Sequence, residues 1–407
     1  MFGRKKTTEN DGAAVTVGDT GVGEELTGKM VEWRRHLHAH PELSYEERET
    51  TDYVEAELKK LGLKSTRFEV GTGLWCDVPP ASDAPSTDRV GLRADIDALP
   101  MDEESGESFA SEVEGVCHSC GHDAHTAMLL GAAAMLVADP PPRPVRLIFQ
   151  PAEETMPGGA KDCVEEGVVT DVDRIIALHC DPHRVVGEVG VTDGAITSSN
   201  AKIGITVRGA GGHTARPHET QDVVFALAQV VTGVTAAVDR RIDPRSGTVL
   251  TWASIKAGGT APNVIPDSGQ LWGTLRSADR DVWASVEPLV RESAQKVAEL
   301  YGVEVEVEYV QGVPPVVNDK ACAGLAAEAV RGVLGEEGVG EAPQSSGGED
   351  FAWYCEEIPG VYLRLGVWSG QGEEKDLHHP EFVLDERALP IGARILDSFA
   401  RLDRPAD

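Results

Sequence analysis

The sequence is poor in positive charge, in aromatic side chains and in long apolar runs. Its 37 lysines and arginines face 68 aspartates and glutamates, a net charge of −31. A surface that negative repels phosphate backbones and anionic lipid, which excludes nucleic acid and membranes as expected partners. Aromatics are only 5% of residues. With the acidic excess and abundant small residues, this suits a halophilic protein, because salt screens charge repulsion. Apolar runs stop near about ten residues, too short to span a bilayer. The start, Met1 to Lys6, leads into polar residues without the apolar core of a signal peptide. The seven cysteines are odd in number and irregularly spaced. A chain this large is no disulfide scaffold, and the cytoplasm, where thiols stay reduced, is the expected location.

What is present is concentrated between Gly115 and Thr126. That stretch holds Cys117, His118, Cys120, His122, Asp123 and His125, and runs into the apolar segment Ala127 to Ala138. Hydrophobic residues at 41% and charged residues at 26% are ordinary for a globular protein. A length of 407 residues predicts two domains.

Residues 1–23 read as a disordered tail. The spacing then predicts helices over Glu24 to His38 and Tyr45 to Leu61. Strands follow at Val90 to Asp95, Pro144 to Phe149 and Arg174 to Leu178, with helices between them. That alternation predicts an α/β sheet covered on both faces, with functional groups at the carboxyl ends of strands. Asp95, Glu153, Glu154 and His179 fall at such places. From residue 199 the pattern becomes β-α-β-β-α-β, the ferredoxin-like unit. The expected fold is therefore α/β with two domains. A three-layer αβα metal-binding catalytic domain with a mixed sheet, residues 24–198 and 313–407, is interrupted by a ferredoxin-like domain at 199–312.

The chemistry centres on metal. Cys120 and His122 flank Gly121, so both side chains can reach one site. Cys117 and Cys120 also form a Cys-x-x-Cys pair, but no second pair completes a zinc knuckle and the setting is not thioredoxin-like. Glu153-Glu154 is either a solvated acidic turn or a pair in which one carboxylate ligates metal and the other takes a proton from water. His179 is either a hydrogen-bonded core histidine or a further ligand. His378 and His379 follow a polar loop, and both cannot easily face one site. The Gly-rich loop at Gly211 lacks the Gly-Lys-Ser/Thr ending of a phosphate cradle.

Taken together, these motifs resemble the aminoacylase/carboxypeptidase metallopeptidase family, and more narrowly its amidohydrolase branch of hippurate and auxin-conjugate hydrolases. The resemblance is carried in order by Trp33 to Leu43, Leu92 to Met101, His118 to His125, Gln150 to Glu154, Leu178-His179, Gly211 to His218, Gly259 to Pro266, Gly273 to Arg276, Gly348 to Phe351 and Leu377-His378. It implies that Cys120, His122, Glu154, His179 and His378 hold two divalent ions per subunit (zinc, manganese, cobalt or nickel), with the cysteine bridging. It implies Glu153 as general base, and His213 as an oxyanion group reaching a partner subunit's site. Asn263 and Arg276 would bind substrate, the arginine taking its carboxylate, and Asp95 would orient a ligand. His118 and His125 are not expected as ligands. Cys117, Gly348 and Val223 stand where the family often has Met, Ser and Pro.

The implied activity is hydrolysis of small N-acyl or N-aroyl amino acids by a homodimer or higher homo-oligomer joined through the inserted lid domain. The alternatives are a carboxypeptidase or di/tripeptidase on the same scaffold, or a metal-binding protein without catalysis.

Overall fold

The computed structural model describes residues 19–403 except 83 and 85. Through residue 18, the expected tail lies outside the described residues. The chain clusters into two compact units. One comprises Met1–Gly194, Asn318–Pro343 and Tyr354–Asp407, and the other Ala195–Val317 and Gln344–Trp353.

The first unit is built on an eight-stranded mixed sheet. Strands Val145–Gln150, Val90–Asp95, Arg174–Val185 and Gly360–Trp368 lie side by side in parallel. Val145–Gln150 and Val90–Asp95 are buried at every position. This is why they read as nearly continuous apolar runs rather than alternating ones. Leu74–Val78 extends the sheet antiparallel beside Val145–Gln150.

Helices Glu24–Ala39, His122–Ala138, Lys320–Leu334 and Ala388–Arg401 pack against one another. The helix His122–Ala138 buries nearly all its residues, as expected of a helix that is apolar all round. It packs closely through small residues. A Cβ at Gly131 would strike Met30, and one at Gly392 would strike Met128.

Two boundaries differ from those predicted. The second helix starts at Arg48 rather than Tyr45. Tyr45 is left-handed, with φ 64°, and the Glu42 carboxylate accepts hydrogen bonds from the Glu49 and Thr50 N–H groups. The chain turns there before the helix can begin. The strand predicted to stop at Leu178 runs on to Val185, which places His179 inside the ladder and not at its end. Pro182 does not end it, because the register shifts between Gly366 and Trp368 opposite, and a proline is tolerated at such an irregularity.

The second unit is a four-stranded antiparallel sheet in the order Val249–Ala257, Ser268–Ser277, Ser199–Arg208, Glu304–Gln311. Helices Val223–Arg241 and Arg280–Tyr301 complete the β-α-β-β-α-β succession. The Asp222 and Asp279 carboxylates cap these helices, accepting from the Phe225 and Val282 N–H groups, a contribution of about 1 kcal/mol each. The core joins Ile203, Ile205 and Val207 to Leu227, Val230 and Val290. Helix Val223–Arg241 is, by length and composition alone, apolar enough to cross a bilayer. In the fold it lays one face on the sheet, through Val223, Leu227, Val230 and Val234. The α/β class and the ferredoxin-like unit expected from the sequence are the ones observed.

Candidate metal centre and active site

Cys120 and His122 are fixed by the residue between them. Gly121 has φ 89°, and a Cβ there would lie 2.8 Å from Cys180 Sγ. The backbone conformation and the close approach both call for glycine. The left-handed turn ends the Cys120 loop and starts the helix at His122.

His122 is fully buried. Its Nδ1 lies 2.9 Å from the Asp97 carbonyl oxygen, to which it donates, and 3.2 Å from Asp97 Oδ1. Its Nε2 has no hydrogen-bond partner among the described residues. The same ring atom lies 3.9 Å from both Glu153 Oε2 and Glu154 Oε1. His179 follows the same logic. Its Nδ1 donates to the Cys180 carbonyl at 2.8 Å, which turns Nε2 toward Cys120 Sγ at 3.4 Å. Both imidazoles thus present one lone pair to a common space, as metal-binding histidines held through their other nitrogen do.

Glu153 and Glu154 follow Ala152, whose left-handed φ of 57° is unusual for a residue with a side chain. Glu47 secures that turn by accepting the Ala152 N–H at 2.7 Å. The Glu154 N–H donates to Asp97 Oδ2 at 2.9 Å. Glu154 Oε1, like His122 Nε2, is buried without a hydrogen-bond partner among the described residues. His378 brings its Nε2 to 3.3 Å from that atom. His378 is left-handed, with φ 61°, and its N–H donates to the Ser119 carbonyl at 2.9 Å. This bond ties the late loop to the Cys120 loop. Left-handed non-glycine residues cost about 1–3 kcal/mol each and cluster where geometry matters most.

These side chains form overlapping groups whose ligand atoms all lie within 4.8 Å of one another. Cys120 joins His122 and His179 in one and Glu154 and His378 in another, while His122, Glu153 and Glu154 form a third. A buried, orphaned His122 Nε2, aimed into a space ringed by a thiol, imidazoles and carboxylates, fits a metal centre. A further grouping, Asp95 with His122 and His125, does not fit one. His125 Nδ1 is bonded to Asp95 Oδ1 at 2.6 Å, and its Nε2 accepts the Cys180 N–H at 3.0 Å. No lone pair is left for an ion.

The electrostatics agree. Burial, then Glu154, Glu153 and Asp95, hold the Cys120 thiol well above its ordinary value, so the proton stays on sulfur unless a cation replaces it. Burial pushes His179 well down, with help from His125 and Arg364, leaving a neutral ring. For His122 burial opposes the charge, but Asp95, Asp97 and Glu154 outweigh it and raise the ring to about 10, so its Nε2 keeps a proton that a cation would have to displace, as at the thiol.

Of the residues singled out from sequence, Cys120, His122, Glu153, Glu154, His179 and His378 come together in the first unit. Asp95 sits beside them, bonded to Arg93 and His125. His213, Asn263 and Arg276 belong to the second unit. There the Gly212–His213 strand pairs with Val264–Ile265, and the Thr214 N–H donates to the Asn263 carbonyl. Arg276 Nη1 donates to the Ser346 carbonyl at 2.6 Å. The residue that sequence reasoning passed over is Asp97, which touches both His122 and the Glu154 backbone. Its signal was its place two residues beyond Asp95, just past the end of that strand.

Comparison with known proteins gives a consistent answer. Residues 91–402 match the model of peptidase family M20/M25/M40. The chain is 36% identical to an N-acetyl-L-cysteine deacetylase of Bacillus subtilis, over 89% of this chain and 85% of that one. It is 54% identical over 375 residues to a Rhodococcus jostii protein bearing the name glutamate–cysteine ligase 2-3. That match takes in 92% of this chain, which spans 47% of that relative. The crystal structure of the Bacillus subtilis YXEP protein, described as a dinuclear metal-binding peptidase, superposes with a TM-score of 0.80 at 32% identity, covering 93% of this chain and 98% of that one. The chain belongs to peptidase family M20/M25/M40 and is a hydrolase of amide bonds.

Proposed function

We propose that the protein cleaves N-acyl or N-aroyl amino acids to a carboxylic acid and a free amino acid, with two divalent ions held by Cys120, His122, Glu154, His179 and His378. The observation that carries this reading is the shared position of Cys120, which groups with His122 and His179 on one side and with Glu154 and His378 on the other. A thiolate between two donor sets suits a bridging ligand. The mixture of sulfur, imidazole and carboxylate suits zinc, with manganese, cobalt or nickel also accommodated. A relative named for N-acetyl-L-cysteine deacetylation supports the acyl-amino-acid part.

When bound, such ions supply Lewis acidity toward water and the scissile carbonyl. Glu153 takes a proton from the attacking water and passes it to the departing nitrogen. His213, contributed by a second copy of the chain, donates to the tetrahedral oxyanion. Arg276 and Asn263 receive the substrate, the guanidinium pairing with its α-carboxylate. Asp95 positions the centre through its bond to His125. In this reading the second unit is a lid and dimerisation domain, and the protein works in the cytoplasm at high salt.

Glu153→Gln tests the reading. The variant keeps its metal and loses roughly 100- to 10,000-fold in turnover on N-acetyl or N-benzoyl amino acids. Near-normal turnover would remove Glu153 as the base. Faster cleavage of short peptides than of N-acyl amino acids by the unaltered protein would favour a peptidase instead.

A further inference from the structure

Arginines that leave the surface of this protein are spoken for. Arg34 donates to Asp123 and Glu386, Arg93 to Asp95 and Gln150, Arg146 to Asp77 and Asp171, and Arg174 to the Leu402 carbonyl. Arg364 is different. It is half-buried in strand Gly360–Trp368, in register with His179 on the parallel neighbour, so both side chains stand on the same face of the sheet. Among the described residues, none accepts a hydrogen bond from its guanidinium. Its contact is with the Tyr362 ring, whose centroid lies 5.2 Å from Arg364 Cζ. That ring lies in turn 5.8 Å from the His179 imidazole. Guanidinium, phenol ring and proposed metal ligand make one cluster.

A half-buried guanidinium without an anion loses hydration and gains little in return. Beside a group that would hold a divalent cation it is also repelled, unless an anion sits between them. The chain has 68 acidic residues from which a partner could have been drawn, yet among the described residues none forms an ion pair with Arg364. The tyrosine face steadies the plane of the guanidinium, whose N–H donors suit a planar, bidentate acceptor.

We propose that Arg364 is a specificity residue that receives a free carboxylate of the substrate, giving the enzyme a preference for N-acyl amino acids that carry a second carboxylate beyond the α-carboxylate. The inference rests on the N-acyl amino acid reading given above. The second carboxylate belongs either to the acyl group, as in an N-succinyl amino acid, or to an acidic amino-acid side chain.

The test compares metal-loaded protein with Arg364→Met and Arg364→Lys, metal content and melting temperature being measured for each. The substrates are N-acetylalanine, N-acetylglutamine, N-acetylglutamate and N-succinylalanine. The unaltered enzyme favours N-acetylglutamate or N-succinylalanine over N-acetylalanine in kcat/KM. Arg364→Met reduces that ratio about 10- to 100-fold, mainly through KM, and Arg364→Lys reduces it less. Which dicarboxylate shows the effect identifies the source. Calorimetry gives a readout without turnover, because binding of glutamate or succinate to the metal-loaded protein weakens by a similar factor in Arg364→Met. An unchanged ratio, an equal loss on all substrates, or loss of metal in Arg364→Met overturns the proposal. Failure of the metal-loaded, unaltered protein to cleave any of these substrates would instead overturn the N-acyl amino acid reading.

Discussion

Asp97 grips His122 twice. The carbonyl oxygen and the Oδ1 of one residue lie 2.9 and 3.2 Å from the same imidazole nitrogen, while its Oδ2 accepts the Glu154 N–H at 2.9 Å. Ser44 donates to that Oδ2 as well, at 2.7 Å. One buried carboxylate thus sets the direction of His122 Nε2 and the place of the Glu153-Glu154 turn together. Asp97→Ala leaves the backbone carbonyl but removes the rest, so metal affinity falls about 10- to 100-fold. A competition titration against a chelator measures this. An unchanged affinity would mean that the backbone contact suffices.

His125 and Cys120 lie in one motif, but removing each has opposite consequences. His125 is used up by Asp95 and the Cys180 N–H. His125→Ala strands buried polar groups on both sides, a loss of about 1–3 kcal/mol for each unpaired group. It therefore lowers the melting temperature while the folded protein still binds its full complement of metal. Cys120→Ala loses metal. Elemental analysis of both variants after saturation and desalting separates the roles. Metal loss in folded His125→Ala would make His125 a ligand after all.

Much of this centre was legible in the sequence because its chemistry is concentrated. Cys120, His122 and the Glu153-Glu154 pair stand out as residue types before any fold is known. The division of labour within the motif was not legible. Asp95 closes its strand and Asp97 lies two residues beyond it, and most of what distinguishes them is far off in the chain. Asp97 meets the backbone of Glu154, and Asp95 meets Arg93 and His125. His179 reads as a strand end because the apolar run Ile175 to Leu178 stops there, whereas the strand continues to Val185, past Pro182, through an irregularity in its partner. The isolation of Arg364 is a fact of tertiary structure. A lone arginine in an apolar strand gives no hint of whether a carboxylate awaits it.

The motif around Trp33 to Leu43 has its own buried network, which reaches Asp123 in the first turn of the helix that begins at the proposed ligand His122. His38 Nδ1 lies 2.9 Å from Asp123 Oδ2 and its Nε2 lies 3.1 Å from Glu103 Oε1. Burial opposes a charge on His38, but Asp123 and Glu103 outweigh it and raise the ring to about 9. The folded value lies above the ordinary 6.5, so the stability that protonated His38 contributes is complete below that pH and is lost as pH rises through about 9. Denaturant unfolding of the unaltered protein and of His38→Gln, at matched metal content, gives the comparison. The gap between them is widest near about pH 6 and narrows by about pH 9.5. A gap that stays constant would place the charge elsewhere.

In the proposed reaction, amide hydrolysis depends on metal held through Cys120 and its neighbours. The most direct measurement strips the protein with a chelator, verifies the metal content by elemental analysis, and follows N-acyl amino acid hydrolysis as a divalent ion is returned. Activity disappears in the stripped protein, returns at about two equivalents of ion per chain, and does not return in Cys120→Ala. Undiminished hydrolysis by metal-free protein would show that the reaction needs no metal at this centre.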